Sequence, residues 1–466
     1  MILTHYRTIA CEVKGQGSGG GGYNRSMGIR LILFLIVAIL PVAGSRAAEP
    51  VAPAVLAATL DNGLRVLLLE DHRSPIVSFQ VWYRVGSRNE QRGATGIAHF
   101  LEHMMFKGTP THGRGQFAEL VERNGGQNNA FTTQDMTSYF VNIAADRLDL
   151  VLDLEADRMR NLLLDPKEID SERQVVIEER RTRTDDDPDG FLGEAVNAIA
   201  FKAHSYGQPI IGWMEDLTRI TAAQIRAFYD VYYVPGNAII IAAGDFKAAE
   251  LLDKITRRFG AIPRATAAPP VLAIEPAQEG ERRVGLRKQA QLPIVYLAWH
   301  VPNHRSADAP ALDLLSTVLS GGRASRLYRH LVSERQLALE AGGDYSYFSL
   351  DPNLFWFWAT PMPGQTPETL EKELLAEMER LKREPVTEEE LQRAKNQIEA
   401  AFVFREDSVY RRASLLARVE LIGGYAKKDD FLAQIRAVTA ADLQRVARSW
   451  FPPERKNVGI LLPTPP

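Results

Sequence analysis

The sequence is poor in cysteine. Of its 466 residues only Cys11 is a cysteine, and it lies far upstream of the first folded pattern. A chain without paired cysteines has no disulfide framework, and it cannot build a zinc site from thiolates. Any metal that this protein binds must therefore be held by histidine and carboxylate side chains.

The sequence also lacks a strong charge imbalance and a long hydrophobic run. The formal net charge is −3, so nothing indicates the concentrated basic face that nucleic-acid binding requires. An apolar run at residues 31–40 is shorter than the roughly 20 residues of a membrane-spanning helix. We therefore expect neither a nucleic-acid partner nor a typical spanning helix.

Residues 1–47 are predicted to be an N-terminal extension followed by a secretory signal. The apolar run comes after the basic Arg25 and Arg30 and before small residues that end at Ala47, which is the order of a cleaved signal. Cleavage after Ala47 would give a periplasmic or secreted protein, whereas an uncleaved segment would anchor it to a membrane. The residues before Met27 match no part of a signal and enter no fold prediction.

The length of the chain favours two domains, because a single hydrophobic core stops growing beyond about 250–300 residues. A Pro- and Ala-rich stretch at 262–270 indicates a linker. We predict a first domain at 53–262, a linker at 263–281 and a second domain at 282–466. The strand pattern at 75–83 recurs at 293–301, and each is followed by a helix pattern, which in the second case spans 309–319. An internal duplication explains this, and two unrelated strand-and-helix units are the alternative.

The first of these helices is predicted to begin near Thr95, its expected N-cap, and contains the segment HFLEH. His99 and His103 are four residues apart, so on a helix both rings project from one face and can bind one ion. Glu102 lies beside them, where its carboxylate can take a proton from water activated by the metal. The order H-x-x-E-H is a zinc-hydrolase signature, and two core histidines beside a solvated glutamate are the alternative. His300 and His304 are no such pair, because an intervening proline breaks the helix they would need.

A catalytic zinc usually has three protein ligands, so a third ligand is required. The candidates lie in a predicted helix at 166–184. Glu172 and Glu179 are two turns apart and share a face, whereas Glu178 is rotated by about 100° from them. A charge run of this kind is also typical of a solvated helix face. Spacing alone leaves the choice of the third ligand open.

Three segments together resemble the pitrilysin, insulinase and mitochondrial processing peptidase family of zinc proteases, most closely its short bacterial members. They are GIAHFLEHMMFKGT at 96–109, GQNNAFT at 126–132 and ERQVVIEE at 172–179, and the likeness extends from about 57 to 462. The resemblance implies an α+β fold of two homologous domains, each a mainly antiparallel sheet packed with helices. It also implies a zinc endopeptidase that binds one Zn²⁺ ion.

The resemblance assigns roles that spacing leaves open. Glu179 falls at the distal zinc ligand of the family, with Glu178 as the second choice, and Glu172 falls at a carboxylate that supports the site. Asn129 and Ala130 fall on an edge strand to which a substrate adds as a further strand, with an ordinary loop and strand as the alternative. The implied substrates are extended or unfolded peptides.

One departure from the family changes the expected assembly. Single-chain members carry an Arg and, seven residues later, a Tyr in the second domain, and here Val332 and Leu339 occupy those positions. Losing an oxyanion donor typically lowers turnover by about a hundredfold or more. The resemblance to two-component members therefore predicts a zinc-bearing subunit whose homologous partner supplies Arg and Tyr, with a homodimer as the second choice. A non-proteolytic structural or chaperone subunit and a non-peptidase zinc hydrolase are the alternative functions.

Overall fold

The computed structural model of the protein describes residues 54–464, which fold around two β-sheets. Within that range the first sheet has six strands and the second has five. The strands of the first sheet are β1 (Val55–Thr59), β2 (Arg65–Glu70), β3 (Ile76–Tyr83), β4 (Gln127–Thr132), β5 (Thr137–Ala144) and β6 (Ala238–Gly244). Those of the second sheet are β7 (Arg282–Gln289), β8 (Ile294–Val301), β9 (Ala338–Tyr345), β10 (Asn353–Pro361) and β11 (Asn457–Thr464).

Helices cover both faces of the sheets. In the first half they are α1 (Ile97–Met104), α2 (Gln116–Arg123), α3 (Leu148–Arg160), α4 (Pro166–Arg180), α5 (Pro188–Ala200), α6 (Met214–Leu217), α7 (Ala222–Tyr232) and α8 (Ala248–Phe259). In the second half they are α9 (Ala309–Ser320), α10 (Pro367–Arg383), α11 (Glu388–Arg405), α12 (Val409–Ile422), α13 (Lys428–Ala437) and α14 (Ala440–Trp450).

The two sheets share one topology. The strand order is β1-β2-β6-β3-β5-β4 in the first sheet and β7-β11-β8-β10-β9 in the second. The pairs β2–β6 and β7–β11 are parallel, and all other neighbouring strands are antiparallel. With β1 set aside, each strand of one sheet has a counterpart in the other. The predicted α+β fold of two homologous, mainly antiparallel domains is confirmed.

Each half contributes one helix to the sheet of the other half. Apolar residues of α5, among them Leu192 and Val196, pack against Leu461 and its neighbours in the second sheet. In return, Leu416 of α12 packs against Trp82 and other residues of the first sheet. Because burial of apolar surface is the main driving force for folding, this exchange joins the two halves through two separate hydrophobic clusters.

A polar cluster fixes the turn between β4 and β5 to the second half. The buried carboxylate of Asp135 accepts hydrogen bonds from the hydroxyl of Tyr206 at 2.6 Å and from the backbone nitrogen of Leu350 at 3.0 Å. The side-chain amide of Gln134 donates to the carbonyl oxygen of Tyr206 at 3.1 Å. A buried carboxylate with several donors orders its surroundings, so the end of β4 has a defined position between the halves.

The start of α1 differs from the expectation that Thr95 caps this helix. The N-cap residue is Gly96, with a φ of 86°, and glycine has no side chain that could cap the helix. The buried carboxylate of Glu90 accepts hydrogen bonds from the backbone nitrogens of Gly96 and Ala98 at 2.8 and 2.9 Å. Thr95 instead donates from its hydroxyl to Asp216 at 2.6 Å. The prediction was wrong because the carboxylate of Glu90, six residues before Gly96, accepts from the N–H groups at the start of the helix in place of the Thr95 hydroxyl.

The helix pattern at 166–184 corresponds to α4 and a π-helical turn, Arg181–Asp185, that continues it. The pattern at 309–319 corresponds to α9, which ends one residue later. The predicted extension and signal at 1–47 lie outside the described residues. Within 54–464, no helix has the length and apolar character needed to cross a membrane.

Candidate metal centre

Helix α1 places the side chains of His99, Glu102 and His103 in the interior of the first half. Every residue of α1 is buried, and the helix packs against α4, α7 and the β4–β5 side of the first sheet. The rings of His99 and His103 are adjacent, with centroids 4.7 Å apart. The four-residue spacing thus brings the two imidazoles together on one helix face.

Helix α4 supplies a carboxylate to these rings. Oε2 of Glu179 lies 3.3 Å from Nε2 of His103 and 3.7 Å from Nε2 of His99. One ligand atom from each of the three side chains lies within 4.8 Å of the other two. Two imidazoles and one carboxylate form the donor set of a catalytic zinc site that leaves a further position for water.

The surroundings of His99 show whether these residues fit a metal ion. Its side chain is fully buried, and neither ring nitrogen has a hydrogen-bond partner. A buried polar atom without a partner is costly, so the unsatisfied nitrogens are understandable if one of them binds a ligand. Burial, together with the neighbouring His103, lowers the pKa of His99 to about 3. The ring is therefore neutral at physiological pH, which is the form that binds metal, and the residues fit zinc.

His103 is oriented by a second carboxylate from α4. Its Nδ1 lies 2.9 Å from Oε1 of Glu172, and Lys107 forms an ion pair with the other oxygen of Glu172. Burial alone would raise the pKa of Glu172, but the contacts with His103 and Lys107 outweigh burial and lower it. An ionised Glu172 accepts a hydrogen bond from Nδ1–H of His103, which leaves the lone pair on Nε2 to face the metal position.

Glu102 lies on the same helix as the histidines but has a separate environment. Its buried carboxylate accepts a hydrogen bond of 2.6 Å from the hydroxyl of Thr132, at the end of β4. Burial raises the pKa of Glu102 to about 7, although His103 and Thr132 both act to lower it. A carboxylate that titrates near neutral pH is suited to accept and return a proton.

The two adjacent glutamates of α4 lie in different surroundings. The side chain of Glu178 is 68% exposed and pairs with Arg181, whereas that of Glu179 is 10% exposed and faces the histidines. Burial raises the pKa of Glu179, and the nearby histidines and Arg183 outweigh this effect and lower it. The geometry therefore brings Glu179 to the metal group and leaves Glu178 in solvent.

The residues predicted to bind substrate lie on the outermost strand of the first sheet. Asn129 and Ala130 are in β4, which pairs with β5 on one side and with no other strand among residues 54–464. Ala130 is buried and Asn129 is partly exposed. An edge strand with a free side is the surface to which an extended peptide can add.

The two positions that lack Arg and Tyr carry no polar side chain in the structure. Val332 packs against the second hydrophobic core, and Leu339 is an exposed residue of β9. His300 and His304 do not belong to the metal group. Nε2 of His300 contacts the carbonyl oxygen of Ala200 at 2.9 Å, and Nδ1 of His304 contacts that of Ser349 at 3.1 Å. These contacts satisfy the two rings without a metal ion.

Comparisons with known proteins agree with this geometry. The family profile described as Insulinase (Peptidase family M16) matches residues 65–213, and the profile described as Peptidase M16 inactive domain matches residues 219–398. Zinc protease PqqE of Helicobacter pylori is 34% identical over 438 residues, which are 93% of this chain and 98% of that protein. The chain belongs to peptidase family M16, the insulinase family.

Solved structures of M16 proteins have the same fold. A protease from Helicobacter pylori matches with a TM-score of 0.85 at 34% identity, over 88% of this chain and 100% of that chain. An M16-like peptidase from Alicyclobacillus acidocaldarius matches with a TM-score of 0.80 at 20% identity, over 90% and 100% of the two chains. The first match confirms the family resemblance that the motifs predicted, and the second supports the fold. Because M16 relatives are named zinc proteases, zinc is the metal that the group of His99, His103 and Glu179 suits.

Sequence reasoning did not find all contacts of this M16 site. It assigned no role to Thr132, although Thr132 ends the quoted segment GQNNAFT, and it assigned none to Lys107, which follows His103 by four residues. Arg183, which contacts Glu179, was also missed. The spacing of Lys107 and Arg183, each one helical turn beyond a predicted metal ligand, was a signal that could have found them.

Proposed function

We propose that this chain is the catalytic, zinc-bearing subunit of an endopeptidase that hydrolyses extended or unfolded peptides. The observation that carries the proposal is the close group of His99, His103 and Glu179 beside the buried carboxylate of Glu102. One zinc ion bound by the three ligands would polarise the peptide carbonyl and lower the pKa of water.

Glu102 is the general base in this proposal. Thr132 holds its Oε2, and the other oxygen accepts a proton from the attacking water. Glu102 then donates that proton to the amine nitrogen of the leaving product, so one carboxylate serves both halves of the reaction. Its raised pKa supports this double role, since the protonated and ionised forms are both accessible near neutral pH.

The substrate pairs with β4 through its main chain. Such pairing recognises any peptide in extended form and leaves selectivity to pockets for the side chains. Asn129 and Ala130 lie on β4, and Thr132 at its end contacts Glu102. A peptide that adds to this edge therefore passes the general base, which supports endopeptidase action on unfolded segments rather than on folded domains.

The proposed active form contains a homologous subunit. The side chains at Val332 and Leu339 cannot donate hydrogen bonds to a developing oxyanion, and loss of such a donor is expected to be costly. The partner supplies the Arg and Tyr that this chain lacks, so the active enzyme is a heterodimer. The proposed location is the periplasm or the exterior of the cell, reached through the signal at 1–47, and an N-terminus at Ala48 on the protein recovered from cells would support it.

The test combines metal analysis with a peptide assay of the full chain, alone and with its homologous partner. We expect one zinc per chain, cleavage of a fluorescence-quenched unstructured peptide, and loss of cleavage with a chelator followed by recovery with zinc. A zinc-loaded heterodimer that leaves a range of unstructured peptides intact would instead indicate the structural or chaperone function. Cleavage of an ester but not of the matched amide would indicate a non-peptidase hydrolase.

A further inference from the structure

Glu179, which faces the two histidines, is one residue from the end of α4, where the helix changes its geometry. After Arg180 the chain continues through the π-helical turn Arg181–Asp185. Arg183 in this turn places its guanidinium Nε 3.1 Å from Oε1 of Glu179. The other oxygen, Oε2, faces His103 and His99. The two oxygens of one carboxylate thus have different partners, a cation on one side and the two imidazoles on the other.

The π-helical turn is fixed by its surroundings and is not a frayed helix end. Arg180 forms hydrogen bonds with both oxygens of Glu194, at 2.8 and 2.9 Å, and with the carbonyl oxygen of Gly212 at 2.8 Å. The carbonyl of Arg183 lies so close to Gly190 that a Cβ there would be 2.4 Å from the oxygen. Single π-helical turns are frequent at functional sites, and this one determines where Arg183 lies.

We propose that Arg183 is a positioning residue that orients Glu179, so that only Oε2 is presented to the metal. This inference rests on the metal site of the proposed function. A carboxylate can bind zinc through one oxygen or through both, and a guanidinium on Oε1 competes for the second mode. Arginine is permanently charged, so the orientation persists over the whole working pH range. Partners of metal ligands typically change metal affinity by roughly 10- to 100-fold when they are removed.

The same turn contains a matched control. Arg181 lies two residues before Arg183, and its guanidinium pairs with Glu178 at 3.2 Å. Both members of that pair are largely exposed, and neither belongs to the metal group. Replacing Arg181 removes the same charge from the same helical turn without touching Glu179. A general effect of charge or helix stability would therefore appear equally in both variants.

The experiment compares Arg183→Gln, Arg183→Lys and Arg181→Gln in the full chain. Zinc dissociation constants are measured by competition with a chromophoric chelator, and the visible absorption of the cobalt-substituted protein reports the coordination number. We expect Arg183→Gln to bind zinc roughly 10- to 100-fold more weakly and to show the weaker cobalt bands of a higher coordination number. Arg183→Lys is expected to restore part of the affinity, since its ammonium keeps the charge but loses the planar geometry, and Arg181→Gln is expected to match the unmodified chain.

Arg183→Gln with the zinc affinity and cobalt spectrum of the unmodified chain would overturn the inference, as would an equal loss in Arg181→Gln. If Arg183→Gln melts at a lower temperature without metal, the cobalt spectrum of Arg183→Lys decides. A spectrum between those of the unmodified chain and Arg183→Gln supports positioning, and a spectrum identical to that of Arg183→Gln overturns it. None of these readouts depends on peptide hydrolysis. Failure of the unmodified chain to bind zinc would refute the proposed function, whereas zinc binding without a difference between the variants would refute this inference alone.

Discussion

Thr132 donates a hydrogen bond of 2.6 Å to Oε2 of Glu102, across 30 residues of sequence. The hydroxyl of Thr132 also lies 3.3 Å from that of Thr137, which in turn donates to the carbonyl oxygen of Val85 at 2.9 Å. The general base of the proposed reaction is therefore held by the last residue of the strand that is proposed to bind substrate. One side chain thus connects the proposed substrate strand to the proposed general base.

Thr132→Val is expected to lower kcat with little change in KM. Valine has a similar shape but cannot donate a hydrogen bond, and a hydrogen bond to a charged group contributes about 1.5–3 kcal/mol. The corresponding loss is roughly 10- to 100-fold in kcat, measured by steady-state cleavage of a quenched peptide with the partner present. Thr132→Ser keeps the hydroxyl and should retain most of the turnover. Equal kcat values for the valine and serine variants would refute this role.

Glu102→Gln is expected to keep zinc and lose hydrolysis. The amide has nearly the same size as the carboxylate but cannot accept a proton from water, and a general base contributes about 10²- to 10⁴-fold to the rate. Zinc content is measured by elemental analysis and turnover by peptide cleavage, in the same preparation with the partner present. A zinc-loaded variant with unimpaired cleavage would exclude Glu102 as the base.

Glu179→Gln and Glu178→Gln are adjacent substitutions with opposite expected outcomes. Glu179 faces His103 at 3.3 Å, whereas Glu178 pairs with Arg181 in solvent. Removing a ligand carboxylate should lower zinc affinity by well over tenfold, and removing an exposed pair should change almost nothing. Chelator competition on the purified chain measures both. If the Glu178 variant loses zinc and the Glu179 variant keeps it, the ligand assignment is wrong.

The parts of this site that depend on local spacing could be read from the sequence. The four-residue separation of His99 and His103 determines their common face on any helix, and the helical angle separates Glu178 from Glu179. Contacts that depend on the path of the chain through a loop could not be read in this way. The capping of α1 by Glu90 depends on a backbone path that spacing does not encode.

Local sequence patterns also could not predict the exchange of helices between the halves. The repeated strand pattern predicted two similar sheets, and β3 and β8 do occupy equivalent positions. The amphipathic patterns of α5 and α12 predict that each helix buries one face, but they do not say which sheet covers it. Each packs on the sheet of the other half, because tertiary contacts rather than local preference decide where an apolar face is buried.

The pair of Arg326 and Glu390 is expected to make stability depend on acid pH. Arg326 donates two hydrogen bonds of 2.8 and 2.7 Å to Glu390, and both side chains are buried. Burial alone would raise the pKa of Glu390, but the bonds from Arg326 and from the Thr387 backbone lower it to about 2. A lowered folded-state pKa stabilises the protein above the unfolded value near 4.5, and this contribution is lost as the pH falls towards 2.

Glu390→Gln should therefore destabilise the second half by about 3 kcal/mol at pH 7, because it leaves the buried Arg326 without its counter-ion. Denaturant unfolding at a series of pH values measures the difference from the unmodified chain, which should shrink below a pH of about 4.5. The exposed Glu388 of the same helix provides the control, and Glu388→Gln should change stability by less than about 0.5 kcal/mol. A difference in unfolding free energy that stays constant from pH 7 to pH 3 would contradict the lowered pKa of Glu390.

Addition of a homologous subunit that carries Arg and Tyr at the positions of Val332 and Leu339 is expected to raise the turnover of this chain by about a hundredfold or more. The chain contains the candidate metal group and the proposed base, but the side chains of Val332 and Leu339 cannot stabilise a developing oxyanion. The measurement is peptide cleavage by the purified chain alone, by the mixture, and by a mixture in which the partner has Arg→Ala and Tyr→Phe. Size-exclusion chromatography of the same samples reports whether a heterodimer forms. If the chain alone, as a monomer or a homodimer, is as active as the mixture, the oxyanion donors come from this chain and the two-subunit proposal is wrong.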